Sequence, residues 1–365
     1  MVTGIIYSDE YLKHVTGTHV ESPQRLIATT DLLKERGIWE GNPKYAMIEP
    51  RAATIDQILT VHSEQLVQTV QEIVSKAGNN GRLMNIDGDT VVCGDSFDIA
   101  LLAAGGILEG ADQILAGNIE NGFGLVRPPG HHSNQNYARG FCVFNNVAIA
   151  LHYLVTQKGM GKVAIVDWDC HHGNGTQDIF FDGIPGTEEG EMIYISTHQD
   201  GRTLYPGSGF INEIGRGRGE GHIINIPLAP KTTDDAVREV YDEITIPILE
   251  EFAPDFILVS AGFDPHFSDP ITNLGWSSQW FGEMLGKIKD VADKICQGRL
   301  LVTLEGGYEL KAISRSIVNC LEVLAGDDCT EIDENNPKTD PEIMEYTEQN
   351  IIKGLKAKLA NYWHF

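Results

Sequence analysis

Lys162-Val163-Ala164-Ile165-Val166-Asp167-Trp168-Asp169-Cys170-His171-His172-Gly173-Asn174-Gly175 is the stretch on which the fold turns. Its first part, Lys162–Val166, is a short apolar run of the kind that forms a parallel strand buried on both faces. The rest is abruptly polar. Strand side chains alternate faces with period two, so Asp167, Asp169 and His171 share one face while the chain stays extended. Two carboxylates and an imidazole on one edge suit a borderline metal ion. Trp168 and Cys170 point the other way, and Cys170 reads as a core residue rather than a ligand.

Working outward, the same alternation of runs and patterns continues. Phe123–Val126, Met192–Ser196, Ile223–Pro227, Phe256–Ser260 and Arg299–Leu304 read as further strands. Between them lie helical patterns. Phe97, Leu101, Ala104, Leu108, Ala111 and Leu115 recur at spacings of four and three and make one apolar stripe, ended by Gly117. Ser22-Pro23 predicts a helix N-cap followed by proline in the first turn. Ser277 or Ser278 predicts the cap of a helix carrying Trp280, Met284, Ile288, Val291 and Ile295. Helices between buried strands predict an α/β fold, an open, doubly wound and mainly parallel sheet with helices on both faces.

Residues 1–325 read as a single domain. From 326 the composition turns acidic and polar through Pro341, and a last helix follows with Ile351, Ile352, Leu355, Leu359 and Trp363 as packing residues. Residues 326–365 are therefore expected to be an acidic linker and a helical tail, not a second domain. Gly215-Arg216-Gly217-Arg218-Gly219-Glu220-Gly221 is expected to be a flexible loop.

Composition narrows the function. The 365 residues are 42% hydrophobic and 22% charged, enough for a large core and too apolar for wholesale disorder. Lys and Arg total 27 against 52 Asp and Glu, a net charge of −25. That sign argues against a nucleic-acid or anionic-membrane partner and favours cationic ligands or plain solubility. The six cysteines, at 93, 142, 170, 296, 320 and 329, contain no Cys-x-x-Cys pair and are too sparse for a disulfide framework. The N-terminus lacks a signal-peptide pattern, and no apolar stretch approaches the roughly 18 residues of a membrane span. A cytoplasmic location is the expectation. Neither a phosphate-binding Gly-rich loop nor a Gly-x-Ser-x-Gly nucleophile turn is present.

In open α/β sheets ligands bind beyond the carboxyl ends of the strands. Besides the opening stretch, three predicted strands end in polar clusters. Phe256–Ser260 leads to Ala261-Gly262-Phe263-Asp264-Pro265-His266, where Asp264 either completes a metal trio with Asp169 and His171 or caps a turn. Phe123–Val126 leads to Arg127-Pro128-Pro129-Gly130-His131-His132, a stiff loop whose tandem imidazoles suit proton transfer or metal ligation. Arg299–Leu304 leads to Glu305-Gly306-Gly307-Tyr308, where the glycines permit movement or close approach. Tyr308 there is either an oxyanion donor or a packed loop residue. Together these are the parts of metal-assisted hydrolysis. A metal polarises a carbonyl and acidifies water, an imidazole takes the proton and a donor holds the oxyanion.

These residues resemble the histone deacetylase family, including its prokaryotic acetylpolyamine amidohydrolase relatives. The resemblance is carried by His19-Val20-Glu21-Ser22-Pro23-Gln24-Arg25, Arg127–His132, Gly140-Phe141-Cys142-Val143-Phe144-Asn145-Asn146, Asp167–Gln177, Ala261–Asp264 with Asp269-Pro270, and Leu304–Tyr308. It runs from about residue 4 to 325. Asn174 and the Arg127-Pro128-Pro129-Gly130 spelling resemble its class II branch. The resemblance implies an arginase–deacetylase fold and Zn2+, or Fe2+ in its place, bound by Asp169, His171 and Asp264. It implies acid–base work shared by His131 and His132, paired with Asp167 and Asn174, and Tyr308 on the acyl oxygen. It further implies a channel flanked by Phe141 and Tyr205 with Gly140 at the substrate stem, and structural potassium around Asp167, Asp169, His171, Ser196 and Thr197. Asp89 aligns as a rim carboxylate that grips the substrate backbone.

Three positions depart from the family pattern. Tyr205 stands where phenylalanine is usual, Val20 where proline is, and Ser133 where alanine is. The substrate is an acylated lysine in a peptide or protein, or an acetylated polyamine. Polyamine-selective relatives in one branch carry a glutamate just after the Asp-Pro pair. Ile271 stands there, an apolar gate that favours acyl-lysine. The rival from the same fold is a two-metal arginase or agmatinase, which needs more carboxylates around its metals. A homo-oligomer is compatible with the sequence.

Overall fold

The computed structural model describes residues 2–333 and 335–365. Met1, at the start of the N-terminal stretch, and Glu334, in the acidic linker, lie outside them. Among the described residues the strands are β1 (Thr3–Ile6), β2 (Tyr45–Ile48), β3 (Met84–Asn85), β4 (Val91–Val92), β5 (Asn121–Gly124), β6 (Lys162–Asp167), β7 (Glu191–Gln199), β8 (Ile223–Leu228), β9 (Phe256–Ala261) and β10 (Leu300–Leu304). Eight of them form one sheet in the order β2-β1-β5-β10-β9-β6-β7-β8, with every neighbouring pair parallel. β3 and β4 form a separate antiparallel hairpin. Strands β8, β9 and β10 are buried throughout, which is why they read as apolar runs rather than as alternating ones. β5 is buried too, but its sequence is Asn-Gly-Phe-Gly, and the apolar run Phe123–Val126 begins inside the strand and continues past its end. β2 is an edge strand and only partly buried, and β1 beside it opens on Thr3-Gly4, so neither stands out as an apolar run.

Helices surround the sheet. The stripe expected from Phe97 onward becomes the helix Ser96–Leu115, but its buried face is centred on Ala100, Ala103, Ala104, Ile107, Leu108, Ala111 and Ile114. Phe97, Leu101 and Leu115 pack at its margin. The helix is apolar almost all round, so a single-stripe reading was too narrow. Ser277 caps the helix Ser278–Ile295, its Oγ accepting the Trp280 N–H at 3.3 Å. Ser22 makes no such bond. The helix Gln24–Glu35 starts after Pro23 with no side-chain cap.

The tail is tied to the body. Ile351, Ile352, Leu355, Leu359 and Trp363 are all buried. In the linker, Asp333 accepts from the Ser278 N–H at 2.6 Å and from Arg315 at 2.5 Å. The glycine-rich segment from 215 to 221 contains a 3-10 turn. Its arginines are held by Asp182 and by the carbonyls of Thr187 and Gly190, so it is less free than its composition suggests. No helix among the described residues is long and apolar enough to cross a membrane.

Candidate active site

The four polar loops follow β5, β6, β9 and β10, which are the four adjacent central strands in the spatial order β5-β10-β9-β6. Because the strands are parallel, all four loops leave the same edge of the sheet. The Tyr308 loop thus lies between the His131–His132 loop and the Asp264 loop.

β6 ends at Asp167, yet the predicted sidedness persists beyond it. Trp168 and Cys170 are fully buried in the hydrophobic core, while Asp169 and His171 turn toward Asp264. His171 Nδ1 lies 3.1 Å from Asp169 Oδ1 and 2.8 Å from Asp264 Oδ2. One donor atom from each residue falls within 4.8 Å of the others, and all three residues are buried. The remaining carboxylate oxygens are committed. Asp264 Oδ1 accepts from Cys170 N at 2.9 Å and Asp169 Oδ2 from Gly306 N at 2.8 Å. Apart from the close approach of His171 Nδ1, Asp264 Oδ2 accepts no hydrogen bond. Burial and the Asp169 charge push the Asp264 carboxyl up to about 7. A buried oxygen with no other donor in a one-nitrogen, two-oxygen set fits a divalent metal with an open position.

Two glycines make this cluster possible. A Cβ on Gly262 would lie 2.0 Å from Asp169 Oδ2, and one on Gly306 would lie 2.6 Å from the same oxygen. The close approach that these glycines permit is to the protein's own carboxylates.

The two imidazoles lie 4.1 Å apart between centroids, tilted by 46°, but have different partners. His131 Nδ1 lies 3.1 Å from Asp167 Oδ2, and its Nε2 lies 3.8 Å from Asp169 Oδ1. His132 Nδ1 lies 2.8 Å from Asn174 Oδ1. Burial disfavours the cationic form of both rings. At His131 the carboxylates of Asp169, Asp167 and Glu305 outweigh burial and push its pKa up to about 10. At His132 burial is reinforced by the neighbouring His131 and His171 rings, and its pKa falls well below the ordinary histidine value.

Both rings line a narrow cavity of about 30 Å3, together with His171, Gly140, Phe141, Cys142, Tyr205, Tyr308 and, at its mouth, Asp89. Tyr205 stands edge-on to His132 at 5.1 Å, and Phe141 edge-on to Tyr308 at 5.8 Å. Phe141 holds φ 68, a left-handed conformation uncommon for a bulky side chain, and its N–H donates to Thr90 Oγ1 at 3.1 Å. Burial and the Asp264 carboxylate push the Tyr308 phenol well above its usual value, so it remains a proton donor. Ser196 and Thr197 are buried on β7, with Ser196 in register beside Asp167. Ile271 is half-buried outside the cavity lining. A larger groove of about 780 Å3, lined in part by Leu32, Leu310 and Ile332, contains none of these groups.

The model of the histone deacetylase domain matches residues 19–324. This chain belongs to the histone deacetylase family. A probable deacetylase from Archaeoglobus fulgidus is 43% identical, with 100% of this chain and 99% of that protein covered. Histone deacetylase 14, chloroplastic, from Arabidopsis thaliana is 36% identical over 91% of this chain and 79% of its own length. The crystal structure of the HDA15 HD domain superposes with a TM-score of 0.86 at 31% identity, covering 99% of this chain and 95% of that one. The chain therefore has the arginase–deacetylase fold and is a hydrolase of amide bonds, in a histone deacetylase family that is generally zinc-dependent.

Three groups around the deacetylase site had no assigned role in the sequence reading. Tyr194 donates its hydroxyl to Asp167 Oδ2 at 2.9 Å from the middle of β7, where the sequence shows only a strand. Arg25 donates to the Gly307 carbonyl at 2.7 Å and lies 5.2 Å over the Tyr308 ring. Glu305 is fully buried beside the His131 loop. Arg25 and Glu305 both sit inside recognisable motifs, and their charge together with their burial is the signal that could have found them.

Proposed function

We propose that this chain is a metal-dependent deacylase that releases an acetyl or similar acyl group from the side-chain amine of an acyl-lysine in a peptide or protein. The observation that carries this reading is the convergence, at one narrow cavity, of the Asp169–His171–Asp264 cluster, the two differently partnered histidines and Tyr308.

Asp169, His171 and Asp264 would hold the metal, with Zn2+ or Fe2+ suited to the donor set. When bound, the metal supplies Lewis acidity toward the acyl carbonyl and toward water. His132 is the base. Its Nδ1–H is committed to Asn174, so Nε2 keeps a lone pair for the proton of the attacking water. His131, held by Asp167, stays cationic and stabilises negative charge forming beside it. Tyr308 donates its hydroxyl to the acyl oxygen as that charge develops. As the C–O bond forms and the C–N bond breaks, His132 returns the proton to the departing amine nitrogen. The products are a carboxylate and a free amine.

Gly140, Phe141 and Tyr205 form the walls for a slender methylene stem, and Asp89 at the mouth is placed to accept from a substrate backbone. Structural potassium around Asp167, Asp169, His171, Ser196 and Thr197 belongs to the same reading. So do a cytoplasmic location, which the six free cysteines suit, and residues 1–325 as the catalytic domain. Ile271 follows Asp269-Pro270 and offers no carboxylate to a second cationic nitrogen, which favours lysine over a polyamine. The test is a comparison of kcat/KM for an Nε-acetyl-lysine peptide and for N-acetylputrescine on zinc-loaded enzyme. A higher value for the peptide is expected, and a higher value for N-acetylputrescine would replace protein deacylation with polyamine deacetylation.

A further inference from the structure

Glu305 is a fully buried carboxylate whose charge favours the His131 cation but whose hydrogen bonds the chemistry above does not use. Its Oε2 accepts two consecutive backbone N–H groups, Gly130 at 2.7 Å and His131 at 3.2 Å, and its Oε1 accepts the Ser260 hydroxyl at 3.2 Å. Its own backbone is fixed as well. The N–H donates to the Ala261 carbonyl at 2.9 Å, and the carbonyl accepts from Arg25 Nη2 at 2.5 Å. Three residues later comes Tyr308.

The two N–H groups have no way to reach water. A Cβ on Gly130 would lie 2.6 Å from Asn146 N and 2.7 Å from Phe144 O, so this loop is packed directly against the start of the helix Asn146–Thr156. Buried peptide N–H groups need an acceptor, and here a side chain supplies it. Burying a carboxylate is otherwise unfavourable, and here the three hydrogen bonds offset that cost.

We infer that Glu305 is a positioning residue that ties the acid–base loop of His131 and His132 to the strand end bearing Tyr308, so that proton donor and oxyanion donor keep a fixed spacing. The inference rests on the roles of His132 and Tyr308 given above. The Glu305 carboxylate, the His131 ring and Cys142 Sγ also lie within 4.8 Å of one another, as a metal-ligand set would. The carboxylate already serves three donors, which favours positioning over ligation.

The test compares Glu305→Ala, Glu305→Gln and Glu305→Asp in the full, zinc-loaded chain. A glutamine amide oxygen can accept both N–H groups while its NH2 donates to Ser260, so the charge goes and the hydrogen bonds stay. Aspartate keeps the charge and withdraws the acceptor by one methylene. The expected result is a loss of about a hundredfold in kcat for alanine and aspartate. KM and the single equivalent of bound metal should be unchanged, and glutamine, which keeps the hydrogen bonds but removes one of the three charges that favour the His131 cation, should retain clearly more activity than alanine or aspartate. Wild-type kcat in the aspartate variant, or glutamine as impaired as aspartate, would overturn the positioning role. So would two metal equivalents in wild type falling to one in Glu305→Gln. Tyr308→Phe runs alongside. If it turns over normally, the parent reading fails and the inference with it. If it is impaired while Glu305→Asp is normal, only the inference fails.

Discussion

His132 Nδ1 sits 2.8 Å from the amide oxygen of Asn174, whereas the matching nitrogen of His131 sits 3.1 Å from a carboxylate oxygen of Asp167. An amide accepts a hydrogen bond without adding a negative charge, so it orients His132 without making it strongly basic. A base must be neutral to act, and activity is therefore lost as pH falls through the His132 pKa. Asn174→Asp places a carboxylate there and should raise that pKa by about 1 unit or more. The acidic limb of the kcat/KM–pH profile is expected to move to higher pH. An unmoved limb would argue against His132 as the base.

Tyr308 lines the same cavity and remains protonated. Tyr308→Phe should lower kcat by about 100- to 1,000-fold, the usual cost of one oxyanion donor. Metal content, measured by elemental analysis, is expected to stay at the wild-type value. Unchanged turnover would remove Tyr308 from the chemistry.

Asp264 Oδ2 faces His171 Nδ1 at 2.8 Å and accepts no other hydrogen bond. Chelation should abolish activity, and added zinc should restore it. Because a ligand that binds only the folded state raises its stability, zinc should also raise the Tm of the chelated protein. Asp264→Ala should lose both effects. A full Tm rise in that variant would place the metal elsewhere.

Glu21 binds Arg127 through both carboxylate oxygens, at 2.5 and 2.7 Å, and Arg25 at 3.1 Å, with all three side chains buried. Burial opposes its ionisation, but the Arg127 guanidinium outweighs burial and pulls the carboxyl down to about 2. A depressed carboxyl stabilises the fold fully above the unfolded value, about 4.3. That contribution is lost as pH falls toward 2. Glu21→Gln leaves two buried guanidinium groups without a counter-charge and should cost about 3–5 kcal/mol near neutral pH. Urea unfolding at pH 7 and below pH 4 would measure this, and the gap between variant and wild type should narrow in acid. A variant as stable as wild type at pH 7 would show that the pair is dispensable.

Legibility followed the length and strength of each local signal. The strand Lys162–Asp167 and the loop after it could be read because an apolar run met an abrupt polar boundary. β1 and β2 gave no such boundary: β1 opens on Thr3-Gly4, and β2 is an edge strand only partly buried. Ser22 looked like a helix cap by composition and is not one, because the helix begins a residue later without any side-chain cap. Ile271 was legible as a position in a motif, but whether it lined the channel depended on how the loop after Asp269 folds.

By itself, the sequence determined which residues end the central strands, and hence the inventory of three aspartates (Asp167, Asp169 and Asp264), three imidazoles and a phenol for one sheet edge. Alternation and apolar runs are local properties, and they survive without knowledge of the neighbours. Only the tertiary structure decided that strands met in the chain order β5, β6, β9, β10 stand in the spatial order β5-β10-β9-β6. Strand order is set by how crossover helices pack across the sheet, which no local pattern encodes. That order brings Glu305 under the His131 loop, Gly306 against Asp169 and Arg25 over Tyr308. Contacts between residues more than a hundred positions apart exist only once the sheet has closed around them.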